Sequence, residues 1–184
     1  MVQIDFGPFW RREKTLAEYA AQTDLKGLIE ADGELVARQL ALLEGVSKAE
    51  VAFVPAVREV GEERAWSLQE QVVHLVGMAE EGVYQALGLA RGLEVAVALV
   101  GYADADGMDG ASDAGALRKR IEDSWRVRRA LFEAWPSRPH MDNTFKGWVE
   151  RRGEVNALAR LVLVVMHDQA HVEQIEATLA QARA

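Results

Sequence analysis

The sequence contains no cysteine, which excludes disulfide bonds, thiolate zinc sites, iron–sulfur clusters and cysteine nucleophiles. Any metal ion must therefore be held by nitrogen and oxygen ligands. Proline is also rare, with 4 residues in 184, and 49% of the chain is hydrophobic. This composition excludes collagen-like and disordered chains, and the length suits one folded domain spanning residues 1–184.

Positive charge is scarce as well, because 21 Lys and Arg residues face 29 Asp and Glu residues, for a net charge of −8. We therefore expect neither nucleic acid nor an anionic membrane as a partner. The apolar run Leu161–Met166 is far shorter than the ~20 residues that span a bilayer. The first residues also lack the pattern of a signal peptide, so we expect a cytoplasmic protein.

Hydrophobic residues recur at three- and four-residue steps in four long stretches, which predicts four amphipathic helices. They cover about 24–44, 67–90, 113–135 and 154–180. Ser67 and Glu70 fit a capping box at the start of the second helix, and Pro136 ends the third. The pattern predicts an all-α fold, a four-helix bundle. The connections 46–65, 92–111 and 136–152 are long for a bundle, so we expect crossovers or segments that wall a pocket.

Charged residues interrupt two of these helices. Asp32 breaks the apolar seam of the first. The inner face of the third helix is expected to use Leu117, Ile121, Trp125 or Ser124, Arg128 or Val127, Leu131 and Trp135. The same helix carries Arg118, Lys119, Arg120, Arg126, Arg128 and Arg129. These could attract an anionic cofactor, but a solvated face that pairs with nearby carboxylates is the favoured interpretation.

Three of the four histidines could form one metal site. His167 and His171 are one helical turn apart, so both rings lie on one face of the fourth helix. His74, at the edge of the apolar face of the second helix, is the candidate for the third ligand. Three protein ligands with an open position are typical of catalytic zinc. The alternative is a set of ordinary, partly buried histidines.

The residue between the paired histidines also needs an explanation. Asp168 stands where zinc proteases of the His-Glu-x-x-His type have glutamate, but few residues follow His171 to supply a third ligand, which argues against a protease. The helical wheel points Asp168 into the core, where a carboxylate needs a partner. It either orients a metal-bound histidine or makes a purely structural hydrogen bond.

Other polar residues near this predicted site are weaker candidates. Glu81 and Gln85 share the helical line of His74, but a seven-residue step rises ~10.5 Å, too far to bind the same ion. They could contact a substrate or face solvent. Glu70 is assigned to the helix cap, and His140 to a surface loop.

Two motifs carry a resemblance to a known family. They are Trp66-Ser67-Leu68-Gln69-Glu70 followed by His74-Leu75, and His167-Asp168-Gln169-Ala170-His171 followed by Gln174-Ile175. From about Asp24 onward the chain resembles the DinB-like (DinB/YfiT-like) superfamily of metalloenzymes. The resemblance implies a four-helix bundle with a long crossover, a homodimer, and a divalent metal ion, zinc or nickel, bound by His74, His167 and His171.

The resemblance also suggests a reaction, because characterised relatives include transferases and isomerases that use a low-molecular-weight thiol. We therefore expect a metal-dependent enzyme that activates a thiol or water for a small-molecule substrate, either a thiol-dependent S-transferase or a hydrolase. The alternative is a non-catalytic, metal-containing dimer that binds a ligand or serves in a stress response. A purely structural bundle would bind no metal.

Two segments depart from a typical member of that family. Residues 1–23 form an N-terminal extension ahead of the core at 24–182, and we expect its aromatic residues to cover the bundle or a dimer partner; they are Phe6, Phe9, Trp10 and Tyr19. Residues 102–110 form a small, acidic segment. Met108 occupies a position that an EF-hand requires to be acidic, so we do not expect calcium there.

Overall fold

A computed structural model describes residues 4–56, 65–95, 111–145 and 154–184. Across these ranges the chain forms seven helices and no strand, although Phe145 and Val155 make an isolated antiparallel bridge. The helices are α1 Gly7–Trp10, α2 Leu16–Ala20, α3 Leu25–Leu42, α4 Lys48–Val51, α5 Leu68–Ala90, α6 Ala114–Glu133 and α7 Ala157–Ala182. The predicted all-α class is confirmed, and the four predicted helices correspond to α3, α5, α6 and α7.

Each of the four long helices begins where a side chain caps it. The capping residues accept a hydrogen bond from the backbone N–H three residues later, and they are Asp24, Ser67, Asp113 and Asn156. Such caps satisfy amide groups that have no partner within the helix. The predicted capping box of Ser67 and Glu70 is present in full, and it fixes the start of α5.

The side-chain contacts between the long helices give their directions. Helices α5 and α7 are antiparallel, because Gln71 contacts Thr178 near one end while Gln85 contacts Arg160 near the other. Helix α3 runs parallel to α7 and antiparallel to α6, as shown by the pairs Arg38–Glu176, Arg128–Asp168, Arg128–Asp32 and Arg118–Leu40. Helices α5 and α6, which also pack together, are therefore parallel.

Helices α5 and α7 approach each other closely at Gly82. A Cβ atom at this position would lie 2.3 Å from Val164 Cγ2 and 2.9 Å from Arg160 Nη1. Only glycine leaves room for this contact, because the valine side chain on α7 is stiff at its first torsion angle. The close approach brings the polar side chains of the two helices within reach of each other.

The N-terminal extension covers the long helices of its own chain. Helix α2 packs against α7, and Phe6, Leu16 and Tyr19 are buried in the core. The Tyr19 hydroxyl donates a hydrogen bond to the backbone oxygen of Asp5 at 2.7 Å, so its polar end is satisfied. Of the four aromatic residues expected to cover the bundle or a dimer partner, Phe6 and Tyr19 are buried in the core of their own chain, whereas Trp10 is 63% exposed.

The inner face of α6 differs from a purely hydrophobic pattern. Ser124 and Arg128 are completely buried, whereas Val127 is 50% exposed. Phe132 is buried, and its neighbour Leu131, expected on the inner face, is only partly covered. Hydrophobicity alone would turn Val127 inward, but Arg128 is the residue that points inward, where it pairs with Asp32.

The remaining basic residues of α6 form the solvated face that was favoured over an anion-binding cluster. Four of them pair with carboxylates in Lys119–Asp123, Arg126–Asp123, Arg120–Glu80 and Arg129–Glu133. Arg118 instead donates a hydrogen bond to the backbone oxygen of Leu40. Exposed pairs of this kind contribute little to stability. Arg128 is the exception, because it points into the protein.

Some predicted features fall outside the described residues. They include the acidic segment 102–110, most of the connection 92–111 and parts of the connections 46–65 and 136–152. Among the helices that the structure describes, none combines the length and the hydropathy needed to cross a membrane.

The close approach at Gly82 predicts a marked difference between two glycines of α5. We expect Gly82→Ala to lower the free energy of unfolding by roughly 1–3 kcal/mol, because the new methyl group collides with Val164. Gly77→Ala is the matched control, because a Cβ there meets no atom within 4 Å and should raise stability by up to about 1 kcal/mol. Urea denaturation of both variants measures the difference, and equal effects would contradict the packing at Gly82.

Candidate metal centre

Three histidine rings converge between α5 and α7. The Nε2 atom of His167 lies 3.2 Å from Nε2 of His74 and 3.1 Å from Nε2 of His171. All three rings are partly buried, and one ring nitrogen from each lies within 4.8 Å of the others. The structure therefore brings together the three histidines that the sequence singled out.

Local structure fixes where each ring lies. His167 and His171 lie on consecutive turns of α7, and the antiparallel packing of α5 places His74 opposite them. The capping box holds the first turn of α5. One turn before His74, the Gln71 side-chain amide donates to the backbone oxygen of Trp66 and to Thr178 Oγ1, each at 2.9 Å. These bonds join the start of α5 to the last turns of α7.

The surroundings of His167 and His171 indicate which ring nitrogens carry protons. His171 Nδ1 lies 2.7 Å from Gln174 Oε1, an oxygen that can only accept, so the proton belongs on Nδ1. His167 Nδ1 faces Asp168 Oδ1 at 3.6 Å, and a carboxylate oxygen again favours a proton on Nδ1. In the neutral rings, both Nε2 atoms then present lone pairs to each other at 3.1 Å.

This donor set fits a divalent metal ion. Lone pairs that face each other at such distances repel unless a cation lies between them. Imidazoles on one tetrahedral zinc, at about 2.0–2.1 Å from the metal, would hold their nitrogens about 3.3 Å apart. The two measured separations of 3.1 and 3.2 Å are close to that value. Three neutral imidazoles also suit nickel, copper or iron(II).

The protonation behaviour of the rings supports the same conclusion. Burial, together with the neighbouring rings of His171 and His167, lowers the pKa of His74 to about 3. Burial and the ring of His167 lower the pKa of His171 to about 4. Both rings are therefore neutral near pH 7, the form in which imidazole binds a metal.

Trp66 forms one wall of the site. Its ring meets that of His74 edge to face, with centroids 4.5 Å apart, and lies nearly parallel to His171 at 6.5 Å. Only 6% of Trp66 is exposed, so the indole shields this side of the histidines from water. The sequence motif contained Trp66 and Gln174, but reasoning about ligand spacing assigned them no role. Their positions in the sequence were the available signal. Trp66 stands next to the cap of α5, and Gln174 lies about one turn after His171 on α7.

Asp168 is fully buried, as the helical wheel predicts, and its carboxylate contacts two different groups. One oxygen faces His167 Nδ1, and the other lies 3.5 Å from Arg128 Nη1. Arg128 Nη1 also donates to Asp32 Oδ1. Burial raises the pKa of Asp32, and the adjacent guanidinium opposes that shift. The pairing of Asp168 with an arginine of α6 was not predicted, because it depends on contacts between distant parts of the chain.

Glu81 does not join the three-histidine group, as its distance along the helix predicts. Gln85 is buried, so of the two possibilities for this residue, facing solvent is excluded. Its amide donates to Glu81 Oε1 at 2.6 Å and accepts from Arg160 Nε at 2.8 Å. Burial raises the pKa of the half-buried Glu81, and Arg160 opposes the shift. A buried arginine on α7 thus holds Gln85 in place.

The other two assignments from the sequence are confirmed. Glu70 accepts hydrogen bonds from the backbone and hydroxyl groups of Ser67 at 2.8 Å each, and so belongs to the cap of α5. His140 is exposed on the segment after α6, where its backbone N–H donates to the oxygen of Ala90 at 2.8 Å. It lies outside the three-histidine group.

Comparison with known proteins gives a single result. The family model of the DinB superfamily matches residues 34–175, which include all three converging histidines. No curated protein and no solved structure matches the chain. Because the match covers well over half of the sequence, the chain belongs to the DinB superfamily.

Proposed function

We propose that His74, His167 and His171 bind one divalent metal ion, zinc or nickel, in a single-domain four-helix bundle made by α3, α5, α6 and α7. The convergence of three imidazole Nε2 atoms is the observation that carries this proposal. Family membership supports it, since the matched region contains the whole group. A metal ion held in this way makes a bound thiol or water more acidic and so creates a nucleophile near neutral pH.

The chain's own residues prepare the three rings for that role. Gln174 and Asp168 favour protons on the Nδ1 atoms of His171 and His167, which leaves the Nε2 lone pairs directed at the site. Such partners orient imidazoles and increase their basicity. Trp66 covers one side of the rings and keeps water away from it.

We propose a metal-dependent enzyme, specifically a thiol-dependent S-transferase acting on a small molecule. The chain has no cysteine, so a reacting thiol would have to enter as a low-molecular-weight cofactor or substrate. Three protein ligands leave room for such a molecule, which supports catalysis over a closed structural site. Glu81 is the better candidate for a substrate contact, because it is partly exposed whereas Gln85 is buried. A cytoplasmic location is part of the same proposal.

We also propose a homodimer formed through α5 and α6. Tyr84 on α5 is 68% exposed, and Val127 on the adjacent α6 is 50% exposed, which leaves large apolar side chains on neighbouring helices. Sedimentation equilibrium should give twice the chain mass of 20.3 kDa, and Tyr84→Glu should shift the protein toward the monomer. A wild-type monomer at tens of micromolar would refute this part of the proposal.

Metal analysis tests the site directly. Protein purified without chelator or nickel resin should carry about one divalent ion per chain, because the three rings form one centre. We expect His74→Ala and His167→Ala each to remove the ion or weaken its binding by at least tenfold, as measured by elemental analysis and competition with a chromophoric chelator. His140→Ala is the control and should retain the ion. A wild-type protein that binds no metal at micromolar concentrations refutes the proposal.

The histidine pKa values predict how the metal-free protein responds to acid. His74 and His171 titrate near 3 and 4 in the folded chain, against an ordinary value of 6.5. Between about pH 6.5 and 4 the unfolded chain therefore binds more protons, and the free energy of unfolding should fall as the pH is lowered. Urea denaturation with a chelator present measures this fall. His74→Gln should make it shallower, and an unchanged slope would contradict the shifted pKa of His74.

An activity screen separates an enzyme from a binding protein. Metal-loaded protein should transfer low-molecular-weight thiols such as glutathione or bacillithiol to small electrophiles. The loss of free thiol measures this reaction. The metal-free protein and the His167→Ala variant should show only the uncatalysed rate. If metal-loaded protein binds a thiol, as calorimetry would show, but never accelerates its transfer, the non-catalytic binding role is correct instead.

A further inference from the structure

A buried ionic cluster lies next to His167. Arg128 and Asp168 are fully buried, and Asp32 is 1% exposed. These three residues come from α6, α7 and α3. Arg128 Nη1 contacts a carboxylate oxygen of each aspartate, so a single guanidinium links both acidic groups. The cluster therefore connects α3 and α6, which carry no histidine of the site, with α7, which carries His167 and His171.

Burial of such a cluster is difficult to explain as a device for stability. Removing three ionisable groups from water is costly, and apolar residues of similar size often stabilise a core as well or better. The cluster also contains two carboxylates for one guanidinium. Asp168 Oδ1 has no hydrogen bond within it, although the atom is buried. The cluster is thus incomplete unless Asp168 Oδ1 has another partner.

The neighbouring His167 offers the missing partner for Asp168 Oδ1. Asp168 Oδ1 and His167 Nδ1 are both buried atoms without a hydrogen-bond partner, and they face each other at 3.6 Å. Consecutive residues of a helix point about 100° apart and do not normally face each other. An external anchor is needed to turn the carboxylate toward the preceding residue. Arg128, which lies beside the other oxygen of Asp168, is that anchor.

We propose that Arg128 and Asp32 are positioning residues for the metal centre, acting through Asp168 on His167. Arg128 holds Oδ2 of Asp168 so that Oδ1 faces His167 Nδ1, and Asp32 holds Arg128 through the same Nη1 atom. The result keeps the His167 proton on Nδ1 and its Nε2 lone pair directed at His74 and His171. This inference rests on the proposed metal site, and it extends that site to α3 and α6.

The test uses variants that separate this role from simple stability. Asp32→Asn/Arg128→Met removes one charge of each sign, so the formal charge of the chain is unchanged and Asp168 loses its anchor. Arg128→Lys keeps the positive charge but replaces the planar guanidinium with a compact ammonium group. Asp168→Asn removes the acceptor itself. Ile121→Val, a core change on the same helix outside the cluster, controls for lost stability, and circular dichroism checks that each variant is folded.

Two readouts are followed. Zinc affinity is measured by chelator competition, and the His167 tautomer is measured from imidazole ¹⁵N shifts in both metal-free and zinc-loaded protein. We expect zinc affinity to fall roughly 10–100-fold in Asp168→Asn and in the double variant, and less in Arg128→Lys. We also expect wild-type His167 to carry its proton on Nδ1, and the double variant to gain a population protonated on Nε2. Ile121→Val should match the wild type in both.

The variants also test whether the three residues act in series. If Arg128 and Asp32 work through Asp168, the triple variant Asp32→Asn/Arg128→Met/Asp168→Asn should lose no more affinity than Asp168→Asn alone. Additive losses would overturn the inference, and so would a folded double variant with wild-type affinity and an unchanged His167 tautomer. If the wild type binds no zinc, the proposed metal site fails, but the tautomer of metal-free His167 still decides whether Arg128 and Asp32 position it.

Discussion

The contact between α5 and α7 is the constraint on which the rest of the site depends. Gly82 allows the two helices to approach until a side chain at that position would collide with Val164. The same antiparallel packing brings Gln71 to Thr178, Gln85 to Arg160 and His74 to His167. Three imidazole nitrogens can face each other only because two helix backbones are held this close. The geometry of the histidines is therefore a property of helix packing as much as of the histidines themselves.

The positions of the buried charged side chains also depend on how the helices pack. In a core made mostly of Leu, Val and Ala, the buried charged side chains are concentrated where α3 and α6 meet α7 behind His167 and where Arg160 reaches Gln85. Each of these groups would be costly alone, and each contacts a partner from another helix. The burial of Asp168 is thus accounted for by two neighbours, His167 on its own helix and Arg128 on α6. The buried charges and the positions of the histidines therefore depend on the same packing of the helices.

Local sequence signals predicted the helices and their starts, since Asp24, Ser67 and Asp113 act as caps where the pattern placed the helix boundaries. The hydrophobic pattern was a poorer guide on α6, where Val127 faces solvent and Arg128 is buried. Hydrophobic periodicity ranks side chains by their free energy of transfer from water. It takes no account of a carboxylate on α3 that pairs with Arg128. The interruption of the apolar seam at Asp32 was a sign in the sequence that such a partner existed.

The sequence by itself determined the all-α class, the exclusion of cysteine ligands and cysteine nucleophiles, and the pairing of His167 with His171, because composition and helical spacing are local properties. It also identified His74 as the third candidate and Asp168 as an inward-facing carboxylate. Only the tertiary structure decided that the three rings meet at 3.1–3.2 Å, that Gln174 and Trp66 adjoin them, and that Arg128 lies between Asp32 and Asp168. These contacts join residues up to about a hundred positions apart, and they exist only once the helices have packed.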